Sequence, residues 1–426
     1  MKITRVILTA GAGAMAGVLA LSGCSAQGGD APDAKITLSY VIWDSNALNV
    51  YKETAKAFQD KHPNITVNIQ ALPWDQYWTK LQTQASSKTL PDLFWINEPN
   101  FKLYAQGGAI EPLTALEKSG DFDRKDYAAA QLASYTIDDQ VYAAPSSFAT
   151  MGVWYNAKLF QEAGVEEPRE GWTLDDFQKD AAAISDALGS KGVFGAASAP
   201  NTNQETYYNT IYQSGGHVIS EDGKKSGYDD PATIAGVKVW VDLIKAGAAP
   251  SVQQLNDTPA AQYFTSGRLA MMWSGPWNAN SLKDSAIAAD VKLAPMPKGP
   301  SDLVTTIQGG ADAVSAFSPH KEAAQQFQAF LASEEGQTRY AKAGLGIPAF
   351  THASGAFLDA FPDWDLKIFV DEAQHAAPYP VSLNTAAWNK LEADYLTKAY
   401  SGSETVEKAC AELAEAMNAA LAQEGE

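Results

Sequence analysis

Three carboxylates far apart in the chain, Glu98, Glu205 and Asp312, are among the fifty acidic residues that folding could arrange to do chemistry. If folding set two of them about 5–10 Å apart across a glycosidic bond, they would make the acid and base of a glycoside hydrolase. The same groups suit a simpler task, because an ionised carboxylate accepts strong hydrogen bonds from hydroxyls. Eleven tryptophans and seventeen tyrosines add flat apolar faces with polar edges. Metal and thiol chemistry have little to work with: there are five histidines and two cysteines, Cys24 and Cys410. Zinc held through cysteine is excluded by count. Cys410 falls at helical spacing with Val406, Leu413, Met417 and Leu421, which predicts a buried core thiol. No G-x-x-x-x-G-K-[ST] occurs, so a P-loop ATPase is excluded.

The elements that must position these groups open with a strand, Ile36 to Ile42, in which apolar residues alternate with polar ones. A helix carrying Leu48, Tyr51, Ala55 and Phe58 on one face ends at His62-Pro63. A strand over Ile65–Ala71 follows, then a helix around Tyr77, Leu81 and Ala85, then a buried strand at Pro91–Ile96. This β-α-β-α-β order predicts an α/β fold with a parallel sheet. Ligands of such sheets bind beyond the carboxyl ends of the strands. That rule singles out Trp43-Asp44-Ser45-Asn46 and Asn97-Glu98-Pro99-Asn100. Further on, Thr173 and Asp176 form a capping pattern, and Pro231 starts another helix. Leu269–Trp273 reads as a strand. Another, Ala311–Phe317, is expected after the lead-in Ile307-Gln308-Gly309-Gly310.

The chain has 426 residues and a net charge of -19, which disfavours nucleic-acid and anionic-lipid partners. Residues 1–23 have a basic start at Lys2 and Arg5 and an uncharged run from Val6 to Leu21, short for a membrane helix. The ending Leu21-Ser22-Gly23-Cys24 resembles the bacterial lipobox, which implies a lipidated Cys24. Residues 24–34 then form a small, polar tether, and attachment to the membrane is expected through lipid alone.

Four ordered segments carry a wider likeness. They are Trp74–Leu81 with Pro91–Trp95, Gly152–Phe160, Met272–Trp277, and Glu335-Gly336-Gln337 with Gly344–Ala349. In this order the chain resembles the sugar-binding family of ABC-importer solute-binding proteins, the group that includes maltose-binding protein. The resemblance implies a two-lobe fold with about three hinge crossovers, near 148–152, 300–306 and 348–352. One lobe would hold 35–150 and 304–350, the other 151–303 and 351–426. Closure over a ligand works only if that ligand touches both lobes.

The resemblance also implies site residues. From the first lobe come Trp43, Asn46, Trp74, Asn97 and Glu98, with Gly310 and Asp312 beside the second crossover. From the second come Glu205, Tyr207, Trp273, Trp277, Asn384 and Trp388. Ala47 departs from the maltose-binding pattern, so the identity of the sugar does not carry over. The implied partners are a carbohydrate and an importer permease with a separate ATPase; the chain itself is expected to be a monomer with no cofactor and no catalytic residues. A glycoside hydrolase is the rival class, although no eightfold β/α repeat is visible. A second rival is the same fold binding iron, a polyamine or a phosphodiester. Tyr207-Tyr208 is similar to the paired tyrosines of ferric-binding relatives, while Trp273 and Trp277 suit a sugar ring better than a metal.

Overall fold

The structure is a computed structural model that describes residues 35–199, 203–302 and 304–424. Cys24, the preceding targeting segment and the tether lie outside the described residues. Among those described, no helix is long and apolar enough to cross a membrane.

The first half of the fold follows the sequence pattern. Strand β1 (Ile36–Ile42) buries Ile36, Leu38 and Tyr40 and exposes Thr37 and Ser39. It pairs in parallel with β2 (Ile65–Ala71) and with β3 (Leu93–Asn97). Helix α1 (Leu48–Lys61) turns Tyr51, Thr54, Ala55 and Phe58 inward. Helices α2 (Trp74–Ser86) and α3 (Glu98–Gln106) lead into and out of β3, whose five residues are all buried. A small hairpin of β4 (Thr136–Ile137) and β5 (Gln140–Val141) precedes β6 (Ala143–Ala149).

Two sheets divide the rest. The larger has seven strands, in the order β12-β6-β11-β3-β1-β2, with β13 joined to β11. The smaller runs β10-β7-β9-β8. Its strands are β7 (Gly152–Asn156), β8 (Phe194–Ala197), β9 (Leu269–Ser274) and β10 (Val291–Ala294). Long strand β11 (Thr305–Val314) and short β12 (Ile347–Pro348) and β13 (Ala376–Pro378) belong to the larger one. The chain therefore changes sheet between Ala149 and Gly152, again between Ala294 and Thr305, and leaves the larger sheet after Pro348. The segment after residue 350 is not confined to the smaller sheet's side, because Ala376–Pro378 pairs with Thr305–Ile307.

Each sheet has its own core. Leu38, Phe58, Phe94, Ile96 and Phe327 pack in one, and Phe177, Tyr208, Trp273, Met417 and Cys410 in the other. The second face of the smaller sheet is covered by Phe357, Phe361 and Phe369. The Thr173–Asp176 capping box forms as its spacing predicts, on the helix Leu174–Leu188. Cys410 is buried, and burial pushes its thiol up to about 12, so it is inert packing.

One expected strand starts elsewhere. β11 begins at Thr305, not Ala311, so Ile307–Gly310 are sheet, not lead-in. Gly309 makes this possible. A Cβ there would sit 2.5 Å from the Ser147 carbonyl oxygen and 2.8 Å from Gln131 Oε1. The register with β6 shifts between Gly310 and Ala311, an irregularity that re-aims the strand at the crossover.

The crossovers are tied by buried hydrogen bonds. Thr306 N–H donates to Asn209 Oδ1 (3.1 Å), and Met151 N–H donates to Thr305 Oγ1 (3.0 Å). Thr150 Oγ1 donates to the Phe369 carbonyl (2.6 Å) and Gln213 Nε2 to that of Val304 (2.8 Å).

Candidate functional site

The carboxyl end of β1, Trp95 of β3, the crossover part of β11, and the loop after β9 open onto one cavity of about 580 Å³. From the side of the larger sheet it is lined by Trp43, Asp44, Asn46, Ala47, Trp74, Trp95 and Tyr340. From the side of the smaller sheet come Gln204, Glu205, Trp277 and Asn278, and β6 and β11 supply Ser147–Ala149 and Gln308–Gly310.

Trp43 follows the last residue of β1 and is the hub of an aromatic group. Its ring lies 4.7 Å from Trp95, 5.4 Å from Tyr77, 5.5 Å from Trp74 and 5.6 Å from Trp78. These are edge-on or tilted pairs, the arrangement aromatic rings prefer. Trp74 stands at the start of α2 and is 46% exposed, an unusual exposure for an indole. Asp44 is half-buried; burial raises its pKa, and the Asn46 backbone N–H on Oδ1 at 2.8 Å pulls the other way.

Opposite, Trp277 rests on Gly275. A Cβ at Gly275 would lie 2.2 Å from the indole, so only glycine allows the ring to fold back there. Glu205 accepts from Ser274 Oγ, which in turn accepts from Asn278 Nδ2 at 2.7 Å. The Glu205 main chain is held by Ser198 Oγ at 2.7 Å. The segment Gly344–Gly346 curls Tyr340 and Leu345 to the rim: Gly346 has φ +154°, and Tyr340 OH donates to the Leu345 carbonyl at 3.1 Å.

Of the expected site residues, the structure brings Trp43, Asn46, Trp74, Glu205, Trp277 and Gly310 to the cavity. The others do not line it. Asn97, opposite Gly310 in the sheet, accepts from Asn100 Nδ2 at 2.8 Å. Glu98 is buried behind the wall, where Oε1 accepts the Gly309 N–H at 3.0 Å; burial pushes it up to about 7. Asp312 is buried against the Tyr40 hydroxyl and also raised to about 7 by burial. Trp273 is core because β9 is covered on both faces; it packs 4.7 Å from Phe177 and 5.1 Å from Trp240. Trp388 is fully buried, with Nε1 donating to Ser382 Oγ at 2.8 Å. Asn384 precedes the helix Thr385–Tyr400, and its backbone N–H donates to Glu424 Oε1 at 3.0 Å.

Tyr207 and Tyr208 do not form an open metal site. Their hydroxyls donate to buried Glu392, at 3.4 and 3.0 Å, alongside Tyr228, Asn203 and Asn389. Of the three carboxylates first singled out, the cavity receives Glu205 alone; its other carboxylate is Asp44. Gln204, Asn278, Gln308 and Tyr340 also line it, none of them singled out from sequence as a site residue. Gln308 had been placed in a lead-in to the strand, although the Gly309-Gly310 pair beside it signalled close backbone approach.

Two α/β lobes, joined where the chain changes sheet and facing each other across an aromatic and polar cavity, make this a periplasmic-binding-protein-like fold. The chain belongs to the bacterial extracellular solute-binding protein family, whose model matches residues 44–338. An ABC substrate-binding protein from Listeria monocytogenes, solved in complex with cycloalternan, superposes with a TM-score of 0.85 at 26% identity, over 91% of this chain and 99% of that one. The diacetylchitobiose binding protein DasA of Streptomyces coelicolor is 25% identical, covering 76% of this chain and 78% of its own. A maltooligosaccharide ABC transporter solute-binding lipoprotein of Streptococcus pneumoniae is 23% identical over 96% of this chain and 95% of its own.

Proposed function

We propose that this chain captures a carbohydrate between its lobes and delivers it to an ABC importer whose separate ATPase supplies the energy. The observation that carries the reading is the meeting, in one cavity, of indoles from both lobes with side chains rich in hydrogen-bonding atoms. Trp43 and Trp74 stand on one side, Trp277 on the other, and Asn46, Glu205, Asn278 and Gln308 among them. A pyranose has an apolar C–H face and a rim of hydroxyls, and this lining complements both. Relatives that bind cycloalternan, diacetylchitobiose and maltooligosaccharide support the same class of ligand.

A ligand touching Trp74 and Trp277 at once binds the closed form better than the open one, so it draws the hinge shut. The chain acts as a binder with no catalytic step, tethered on the extracytoplasmic face by lipid on Cys24 and working as a monomer. Mass spectrometry of the N-terminal peptide from membrane-extracted protein is expected to show an acylated Cys24; an unmodified cysteine would remove the anchor from the proposal.

Thermal-shift screening against mono- and oligosaccharides tests the main reading. A ligand at 100 times its Kd stabilises the native state by about 2.7 kcal/mol. At least one sugar is expected to raise Tm and to be recovered intact. A panel with no effect, or release of cleaved products, would contradict the proposed role.

A further inference from the structure

We infer that Glu392, a carboxylate buried away from the cleft, is a positioning residue for Glu205: through the side chain of Asn203 it sets the turn that presents Glu205 to the ligand. This rests on the carbohydrate-capture reading and adds to it a residue on the helix Thr385–Tyr400, outside the cavity lining. Glu392 is fully buried and is met by neutral donors. Tyr228 OH donates to Oε1 at 2.5 Å, and Tyr208 OH lies 3.0 Å from both oxygens. Oε2 also accepts from Asn389 Nδ2 at 2.9 Å, from Asn203 Nδ2 at 3.0 Å and from Tyr207 OH at 3.4 Å. An ionised carboxylate can only accept hydrogen bonds, and it accepts them strongly.

Asn203 carries this arrangement toward the cleft. Its Nδ2 donates to Glu392 Oε2 and to Tyr208 OH, each at 3.0 Å. Its Oδ1 accepts from Tyr379 OH at 3.0 Å and from the Gln204 N–H at 2.9 Å. Both ends of the amide are therefore in use. Glu392 has no proton to give, so it must face Nδ2, and that decides which way round the amide stands. Oδ1 is left aimed at the Gln204 N–H, inside the turn Asn203–Glu205. A 3-10 turn this short has poor hydrogen bonds of its own and takes its shape from outside ties. At its far end Ser198 Oγ donates to the Glu205 carbonyl at 2.7 Å, and Ser274 Oγ donates to the Glu205 carboxylate. Glu205 lines the cavity, so one end of the turn meets the ligand while the other answers to Glu392. Without Glu392 the Asn203 amide loses the acceptor that orients it, and Glu205 loses its fixed place.

Calorimetric titration of the full chain tests this, with whichever of maltotriose, lactose and N,N′-diacetylchitobiose binds the wild type. Glu392→Ala and Asn203→Ala are each expected to weaken binding about tenfold with unchanged far-UV circular dichroism, and the double variant no further. Asn203→Ala keeps the test open where Glu392→Ala does not fold. Glu392→Gln is expected to bind close to wild type. Its amide oxygen still accepts from Asn203, and its NH₂ turns to tyrosine hydroxyls, which accept as well as donate. A general loosening of the lobe is separated by background. Asn203→Ala is expected to cost nothing more once Glu205 is Ala, yet to cost its full tenfold or so on top of Trp277→Ala, because independent sites add. Wild-type affinity in Asn203→Ala, or the same loss in both backgrounds, would overturn the inference and leave carbohydrate capture standing. Binding of none of these sugars by the wild type would overturn both.

Discussion

Glu98 Oε1 accepts the backbone N–H of Gly309 at 3.0 Å, so a carboxylate from helix α3 fixes the cavity wall from behind. Gly309 is one of the residues that line the cavity, while Glu98 is not. Glu98→Ala leaves a buried N–H without an acceptor and is expected to cost about 1–3 kcal/mol of stability. Glu98→Gln keeps an acceptor oxygen and is expected to recover most of it. Urea unfolding of the two variants makes the comparison; equal losses would separate Glu98 from the Gly309 contact.

Two tryptophans four residues apart are expected to respond in opposite ways. Trp273 is fully buried, and Trp273→Ala is expected to lose about 3–5 kcal/mol of stability. Trp277 is partly buried at the cavity, and Trp277→Ala is expected to leave most of the stability while weakening sugar binding. Chemical denaturation paired with binding on both variants checks this.

Stability is expected to fall from pH 5 to pH 8. Burial pushes Glu98, Asp312, Glu372 and Glu392 up to about 7 in the folded state. Unfolded carboxyls titrate near pH 4, so between about pH 4 and 7 the native chain holds more protons than the unfolded one. The stabilisation from these groups is complete below their unfolded pKa and is lost as pH rises through 7. Denaturant midpoints across that range are the measurement, and Glu392→Gln, which cannot ionise, is expected to flatten the slope. A midpoint that rises from pH 5 to 8 would contradict the assignment.

Asn209 Oδ1 holds Thr306 N–H at 3.1 Å and accepts from Thr305 Oγ1 at 3.2 Å, beside the second crossover. Asn209→Ala orphans buried donors there and is expected to destabilise by about 1–3 kcal/mol. Hydrogen exchange at Thr306 is the local readout, and unaltered protection would show that Asn209 does not brace the crossover.

Much of the first lobe was legible because strand alternation and helical spacing are local signals, as in Ile36–Ile42 and the buried face of α1. Trp43 and Asn46 were legible by position, since they follow a strand's carboxyl end. Trp273 was not, because burial depends on what covers the second face of a sheet, and that cover comes from distant segments such as the helix carrying Phe177. Asp312 and Glu98 carry the charge expected of site residues, yet their partners are Tyr40 and Gly309, more than 200 residues away in sequence. Gln308 was hidden because it falls in what reads as a lead-in before Ala311, whereas the strand already runs from Thr305 and Gly309 serves close strand approach.

Trp74 and Trp277 face the cavity from opposite lobes, so a ligand gripped by both must lose affinity when either ring is removed. Calorimetric titration of wild type, Trp74→Ala and Trp277→Ala with the best-binding sugar measures this. Each variant is expected to bind at least about tenfold more weakly, the loss of one aromatic anchor. Wild-type affinity in both would contradict capture between the lobes.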